Sequence, residues 1–282
     1  MNSKFLTSLI QMNSTNNLDK NLNEYLSKLN EAVSCGSKFI LSPEVTNFIT
    51  NNHEQRLKIA KTDKTDIFIN ETKSFCLKNS VWVLIGSLVM QGNNRNKCVN
   101  SSILIDPKGD IKCKYDKIHM FDVALGDGQY YRESETYEPG SEAVIADIPW
   151  GRIGLTICYD VRFAYLYRTL SQNGADFLTI PAAFTKMSGE AHWHVLQRAR
   201  AIETGCYVIA AAQCGTHAEN RQTFGHSLIV DPWGTVLADG GDAPGVITAT
   251  IDPARVADAR SKIPALTHDR DYVLSGSGSD IE

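Results

Sequence analysis

The sequence lacks an excess of charge of either sign, a long hydrophobic run and a recognisable targeting segment. Its 282 residues carry 28 Lys and Arg against 32 Asp and Glu, a net charge of −4, so its charge does not favour nucleic acid. The apolar run VWVLIGSLVM is far shorter than the roughly 20 residues that a membrane helix needs. The opening MNSKFLTSLIQMNS has neither the apolar core nor the cleavage site of a signal peptide. We therefore expect no nucleic-acid partner, no membrane partner and a cytoplasmic location.

The cysteines lack the spacings that metal sites and disulfide frameworks use. There are seven of them, an odd number, and no two form a C-x-x-C pair. This pattern favours neither a structural zinc site nor a set of disulfides. The ordinary interpretation of each cysteine is therefore a small buried hydrophobic residue.

Enough apolar material is present for one large α/β domain, since 43% of the residues are hydrophobic. Short β-rich runs alternate with segments of helical period, which predicts a mixed sheet with helices outside it. Helices are predicted over residues 18–35, 64–78, 163–173 and 188–205. Ser188 is the expected N-cap of the last helix, which ends at Gly205. Strands 82–90 and 100–106 are expected to form a hairpin.

The stretch GLTICYDVRF places Cys158 at the end of an apolar strand and shortly before a helix-like segment. Such a turn exposes a side chain where the active sites of α/β proteins gather, and its backbone N–H groups can stabilise an oxyanion. A nearby helix start also favours thiolate over thiol. Taken alone, however, a buried structural cysteine is the commoner outcome. Asp160 and Arg162 follow as candidates for an ion pair, either structural or functional.

Two more strand ends carry residues that a nucleophile needs. Glu44 follows the apolar run FIL through Ser42 and Pro43, and Lys117 precedes the apolar and aromatic residues of IHMF. The ordinary interpretation of a glutamate or a lysine is a solvated surface residue. A lysine in apolar surroundings, by contrast, needs a partner for its charge.

Three motifs in this order, LSPEVTNF, KYDKIHMFDV and GLTICYDVRF, resemble those of the nitrilase, or carbon–nitrogen hydrolase, superfamily. The resemblance continues to about residue 266, which implies a hydrolase domain over 1–266 and a C-terminal extension over 267–282 with a mobile end. It implies a four-layer αββα sandwich, often paired into dimers, so a homodimer or a higher homo-oligomer is expected.

The resemblance also implies the catalytic roles. It makes Glu44 the general base, Lys117 the cation that stabilises the oxyanion and Cys158 the nucleophile. Glu133 matches a supporting glutamate, and the backbone N–H of Tyr159 matches the second donor to the oxyanion. The implied reaction hydrolyses an amide through a cysteine thioester and needs no metal and no organic cofactor.

The implied substrate is a small-molecule amide in a pocket for which Phe121, Tyr131 and His192 are candidates. Within the superfamily, the sequence resembles most the amidases that cleave deaminated glutathione into 2-oxoglutarate and Cys-Gly. An ω-amidase acting on 2-oxoglutaramate is the alternative, and a binding module or a metal hydrolase are alternatives of other classes. His192 and His194 point to different faces of their helix, which disfavours a metal shared between them.

Two departures from the family pattern leave the shape of the pocket open. Ser42 stands where a leucine is common, and Ala164 and Tyr165 stand where Pro-Glu is common. None of the three is a member of the catalytic set, so they bear on the substrate rather than on the reaction type.

Overall fold

The computed structural model describes residues 3–124 and 130–275. Its α-helices are α1 Leu18–Ser34, α2 His53–Ile59, α3 Ile67–Asn79, α4 Glu133–Thr136, α5 Ala164–Gln172, α6 Lys186–Thr204 and α7 Ala254–Lys262. Its strands are β1 Phe5–Gln11, β2 Phe39–Leu41, β3 Trp82–Gln91, β4 Cys98–Ile105, β5 Ile111–Asp116, β6 Asp122–Ala124, β7 Tyr130–Arg132, β8 Val144–Ile148, β9 Gly151–Leu155, β10 Phe177–Thr179, β11 Tyr207–Ala210, β12 Cys214–Thr216, β13 Gln222–Phe224, β14 Leu228–Val230, β15 Val236–Asp239 and β16 Gly245–Ile251.

Two six-stranded sheets form the centre of the fold. Their strand orders are β16-β1-β2-β3-β4-β5 and β15-β14-β11-β10-β9-β8. In the first sheet β1, β2 and β3 run parallel, and in the second β9, β10 and β11 do. The other pairings are antiparallel, including the predicted hairpin of β3 and β4. Both sheets are therefore mixed.

Alternate side chains along each strand face opposite layers of the fold. In β2, Phe39 and Leu41 belong to the core between the two sheets, whereas Ile40 belongs to the core beneath the helices. Successive strand residues face opposite sides, so one short apolar strand serves both cores. Helices α1 and α3 cover the first sheet, and α5 and α6 cover the second. The result is the predicted four-layer αββα arrangement.

Helix α6 begins earlier than the sequence predicted. Its N-cap is Thr185, and Ser188 lies inside the first turn with its hydroxyl 2.6 Å from that of Thr185. The prediction of Ser188 as the cap is therefore wrong, because the helix continues one turn further toward its N-terminus. The predicted end is confirmed, since Gly205 is the C-cap with a left-handed φ of 59°.

The segment after residue 266 is partly tied to the domain. Gln172 of α5 donates hydrogen bonds to the carbonyl of Leu266 at 3.0 Å and to Asp269 at 2.6 Å. The mobile end expected in the sequence LSGSGSDIE lies outside the described residues from 276 onward. Among the helices that the structure describes, none is long and apolar enough to cross a membrane.

A bulge in β3 positions the loop that carries Glu44. The register shifts between Ile85 and Leu88, and at this bulge the N–H of Gly86 donates to the hydroxyl of Ser42 at 3.0 Å. A Cβ on Gly86 would lie 1.9 Å from the carbonyl oxygen of Ser42. Glycine is therefore the residue that lets these two backbone segments approach each other.

We expect Gly86→Ala to destabilise the protein by about 1–3 kcal/mol or more, because the obstacle is backbone that cannot rotate away. Urea denaturation followed by circular dichroism measures the change. Gly245→Ala is the matched control, since a Cβ there meets nothing within 4 Å. Equal midpoints for the two variants would contradict the close approach at Gly86.

Candidate active site

Three strand ends meet between the two sheets. Glu44 follows β2, Lys117 follows β5, and Cys158 follows β9 of the opposite sheet. All three side chains are buried, with 4%, 2% and 7% of their surface exposed. The Nζ of Lys117 lies 3.0 Å from Oε1 of Glu44, and the thiol of Cys158 is near enough to the same carboxylate to help lower its pKa. The structure thus brings together the three residues that the sequence singled out.

Neutral donors complete the surroundings of the Glu44 carboxylate. Nδ2 of Asn100 donates to Oε1 at 2.9 Å, and the backbone N–H of Ala183 donates to Oε2 at 2.8 Å. Neither donor is among the site residues that the sequence predicted. The available signal for Asn100 was a polar residue within strand β4, all of which is buried. A backbone N–H, by contrast, leaves no signal in the sequence.

Lys117 bridges two carboxylates. Its Nζ lies 2.9 and 2.8 Å from the two oxygens of Glu133 in addition to its contact with Glu44. Oε2 of Glu133 also accepts the backbone N–H of Phe121 at 2.7 Å. Glu133 therefore holds the ammonium together with Glu44, which fits the supporting role expected for it.

These contacts set the protonation states. Burial opposes ionisation of Glu44, yet the Lys117 ammonium and the Cys158 thiol hold its pKa below the usual value. Burial also opposes the charge of Lys117, but Glu133 and Glu44 raise its pKa well above the usual value. Burial, followed by the charge of Glu44, raises the pKa of the Cys158 thiol. The resting site is thus a carboxylate, an ammonium and a neutral thiol, so burial and the charge of Glu44 outweigh the tendency of the nearby helix start to favour a thiolate.

The backbone at Cys158 adopts a conformation that non-glycine residues rarely take. Its φ is 48°, in the left-handed region, and its N–H donates to the carbonyl of Pro181 at 2.9 Å. Such a conformation costs about 1–2 kcal/mol and persists where the surrounding structure enforces it. Tyr159 follows in the first turn of a 3-10 helix, Cys158–Arg162, where backbone N–H groups lack partners within the helix.

A buried aspartate connects the lysine segment to the cysteine segment. Asp160 accepts hydrogen bonds from the N–H of Ile157 at 2.8 Å, the hydroxyl of Tyr115 at 2.6 Å and the N–H of His119 at 3.1 Å. Tyr115 and His119 flank Lys117 in the sequence, so this one carboxylate fixes both sides of the lysine. Asp160 does this instead of pairing with Arg162, whose Nη2 lies 3.3 Å from Nδ1 of His192.

A cavity of about 440 Å³ opens over the three residues. Phe121 and Tyr131 line it, and the ring of Phe121 lies 5.1 Å from those of Tyr131 and Tyr159. His192 does not line it; this residue is exposed on α6, where its Nδ1 lies 3.3 Å from Nη2 of Arg162. The structure therefore does not support His192 as a pocket residue.

The departures from the family pattern lie beside the cavity rather than in it. Ser42 is buried and its hydroxyl lies 2.9 Å from that of Thr46. The hydroxyl of Tyr165 lies 2.6 Å from Nε2 of His119, and Ala164 is exposed at the start of α5. All three side chains are thus accommodated outside the lining of the cavity.

The comparison with known families fits this geometry. Residues 6–261 match the family model described as carbon-nitrogen hydrolase. The chain belongs to the carbon–nitrogen hydrolase family. It is a hydrolase that acts on carbon–nitrogen bonds, which removes the binding-module alternative.

Individual relatives are similar to this chain over most of its length. A deaminated glutathione amidase of Synechocystis is 41% identical over 268 residues, or 94% of this chain and 97% of that one. The deaminated glutathione amidase of Mus musculus is 37% identical over 98% of this chain and 86% of its own length. The C. elegans NitFhit structure superposes with a TM-score of 0.90 at 34% identity. That match covers 95% of this chain and 66% of the NitFhit chain, and it confirms the predicted fold class.

We expect the Cys158 thiol to remain protonated up to at least pH 9, because its pKa is raised in the folded protein. Thiolate absorbance at 240 nm, taken as the difference between the wild type and Cys158→Ser, measures this titration. In urea the same absorbance difference should report a thiol pKa of about 8.5, the value of an unperturbed cysteine. In Glu44→Gln the folded-state pKa should fall, since the neighbouring negative charge is gone. Thiolate appearing near pH 7 in the native wild type would contradict the assignment.

Proposed function

We propose that this hydrolase cleaves deaminated glutathione into 2-oxoglutarate and Cys-Gly, with Glu44, Lys117 and Cys158 as its catalytic residues. The observation that carries the proposal is the buried Glu44–Lys117–Cys158 cluster in the lining of a cavity that three arginines also line. Relatives at 37–41% identity that are named deaminated glutathione amidase support the substrate.

The first half of the reaction forms a thioester. Glu44, ionised at neutral pH, takes the thiol proton as the sulfur of Cys158 attacks the amide carbonyl. Direct proton transfer from the sulfur to Glu44 during the attack avoids a resting thiolate, whose formation is opposed by burial and by Glu44 itself. The tetrahedral oxyanion is stabilised by the Lys117 ammonium and the N–H of Tyr159. Glu44 then gives its proton to the departing nitrogen, and Cys-Gly leaves with a neutral amine.

The second half of the reaction regenerates the enzyme. Glu44 takes a proton from a water molecule, which attacks the thioester carbonyl of the bound 2-oxoglutaryl group. The same two donors stabilise the second oxyanion. As the carbon–sulfur bond breaks, the proton on Glu44 returns to the sulfur of Cys158, and 2-oxoglutarate leaves as the free acid.

Arginines in the cavity wall suit a substrate with carboxylates. Arg56, Arg132 and Arg221 line the cavity, and Nη2 of Arg221 donates to the carbonyl of Ala183 at 3.1 Å. Within the described ranges, Nε of Arg56 and Nε of Arg221 are buried and have no hydrogen-bond partner. Deaminated glutathione carries one carboxylate on its oxo-acid half and one on its glycine, and guanidinium groups are the side chains best shaped to bind them.

A second candidate substrate is 2-oxoglutaramate. It shares the oxo-acid half with deaminated glutathione, so the same arginines suit one of its ends. It lacks the Cys-Gly portion, which would leave part of the 440 Å³ cavity unfilled.

We also propose that the protein is a cytoplasmic homodimer or higher homo-oligomer. Support for association comes from apolar side chains on the outer faces of α5 and α6, where Tyr165, Val195 and Ile202 are 65%, 68% and 53% exposed. Light scattering of the purified protein measures its mass, and a monomer would refute the oligomer.

Kinetics with both amides test the substrate. We expect kcat/KM for deaminated glutathione to exceed that for 2-oxoglutaramate by at least about 10-fold, because only the longer substrate uses the second carboxylate. Release of 2-oxoglutarate measures both reactions. Cys158→Ala is the control and should lose turnover of both while keeping its circular dichroism spectrum. A preference for 2-oxoglutaramate would favour the ω-amidase, and turnover by Cys158→Ala would refute the mechanism.

The role of Arg221 has its own test. Arg221→Gln should raise KM for deaminated glutathione by about 10- to 100-fold, the worth of one charge-assisted hydrogen bond. It should also move the acid limb of kcat/KM to higher pH, because Arg221 helps to lower the pKa of Glu44.

Arg221→Lys keeps the charge and should restore the acid limb but not KM. Arg95→Gln, in the exposed turn between β3 and β4, is the matched control and should change neither. An unchanged KM in Arg221→Gln would refute its contact with the substrate.

A further inference from the structure

Two histidines and an aspartate from three separate segments of the chain lie close together on the surface, outside the lining of the cavity. His194 lies on α6, His226 lies between β13 and β14, and Asp239 ends β15. Nε2 of His194 is 3.0 Å from Oδ2 of Asp239, and Nδ1 of His226 is 2.8 Å from Oδ1. One potential ligand atom from each residue lies within 4.8 Å of those of the other two.

We infer that His194, His226 and Asp239 form a binding site for a divalent transition-metal ion, with Zn²⁺ the best match. Two imidazole nitrogens and one carboxylate oxygen are a ligand set that Zn²⁺ accepts, and water completes the coordination. This inference is independent of the proposed amide substrate. His192 is the histidine next to His194 in the sequence, whereas the residues that accompany His194 in the structure come from distant parts of the chain.

The spacing of the ligand atoms suits coordination. At zinc–ligand distances of roughly 2.0–2.2 Å, the ligand atoms of a tetrahedral site lie about 3.3–3.6 Å apart. The two nitrogen–oxygen pairs, at 3.0 and 2.8 Å, are slightly closer than this, and the two nitrogens are no more than 4.8 Å apart. All three separations are therefore within about 1.5 Å of those that a tetrahedral site requires.

The surrounding contacts hold the ligands in place. The ring of His226 stacks on Phe224 at 4.4 Å, and its carbonyl accepts the indole N–H of Trp193 at 2.7 Å. The N–H of Gly241 donates to Oδ1 of Asp239 at 2.9 Å, the kind of outer contact that orients a ligating carboxylate. The three side chains are 38%, 27% and 35% exposed, so an ion can reach them from solvent.

The site is structurally connected to the cavity without being part of it. The N–H of Phe224 donates to the carbonyl of Phe184 at 3.0 Å, and Phe184 lines the cavity. The metal ligands themselves do not line it. A bound ion would therefore fasten α6 to the segment that runs from β13 to β15, and it would take no part in the reaction.

Metal titration of the full-length chain tests the inference. Chelator-treated protein should bind one Zn²⁺ per chain in calorimetry, and Co²⁺ should give a visible spectrum without a thiolate charge-transfer band. His226→Ala and Asp239→Asn should each weaken binding by at least about 10-fold, since each removes one of three protein ligands. His192→Ala is the matched control, because this exposed histidine lies two residues from His194 on the same helix, and it should bind as the wild type does.

A stability readout guards against variants that merely unfold. Zn²⁺ should raise the melting temperature of the wild type and of His192→Ala but not that of His194→Gln, whose melting temperature without metal reports its folding. Absence of saturable binding at about 0.1 mM Zn²⁺ would mean that the cluster only forms hydrogen bonds, and it would overturn the inference. Equal binding by the wild type and Asp239→Asn, or a cobalt–thiolate band, would overturn it as well.

Discussion

A buried ammonium held between two carboxylates is the interaction on which the rest of the site depends. Removing charges from water costs several kcal/mol per ion, so Lys117, Glu44 and Glu133 are tolerable only when each has well-placed partners. The amide of Asn100 and the backbone N–H groups of Ala183 and Phe121 supply those partners. The neighbouring thiol of Cys158 is then kept neutral, and the Glu44 carboxylate is kept ionised.

The site also requires that two sheets stay in register with each other. Lys117 belongs to the first sheet and Cys158 to the second, yet both must face the same carboxylate. Asp160 provides the cross-connection, because it lies two residues after Cys158 and binds Tyr115 and His119 on either side of Lys117. A fully buried carboxylate with this many donors has one favourable arrangement, which removes freedom from both segments.

Local patterns in the sequence predicted the parts of the site that are local. Glu44, Lys117 and Cys158 each follow a predicted strand, and this position together with the family resemblance was enough to predict them as site residues. The α/β pattern and the same resemblance were enough to predict the four-layer fold. Asn100 and Ala183 could not be named, since they meet Glu44 only through contacts 56 and 139 residues apart in the chain. Likewise, the helix start beside Cys158 suggested a thiolate, and burial beside a negative charge reverses that tendency.

The hydrogen bond from Ala183 to Glu44 has a mechanical consequence. Ala183 lies just beyond β10 of the second sheet, whereas Glu44 lies just beyond β2 of the first, so the Glu44 carboxylate is attached to both halves of the sandwich. Any sliding of one sheet over the other stretches this bond before it exposes the core. The rate of turnover is therefore more sensitive to a displacement of one sheet relative to the other than a measurement of global unfolding is.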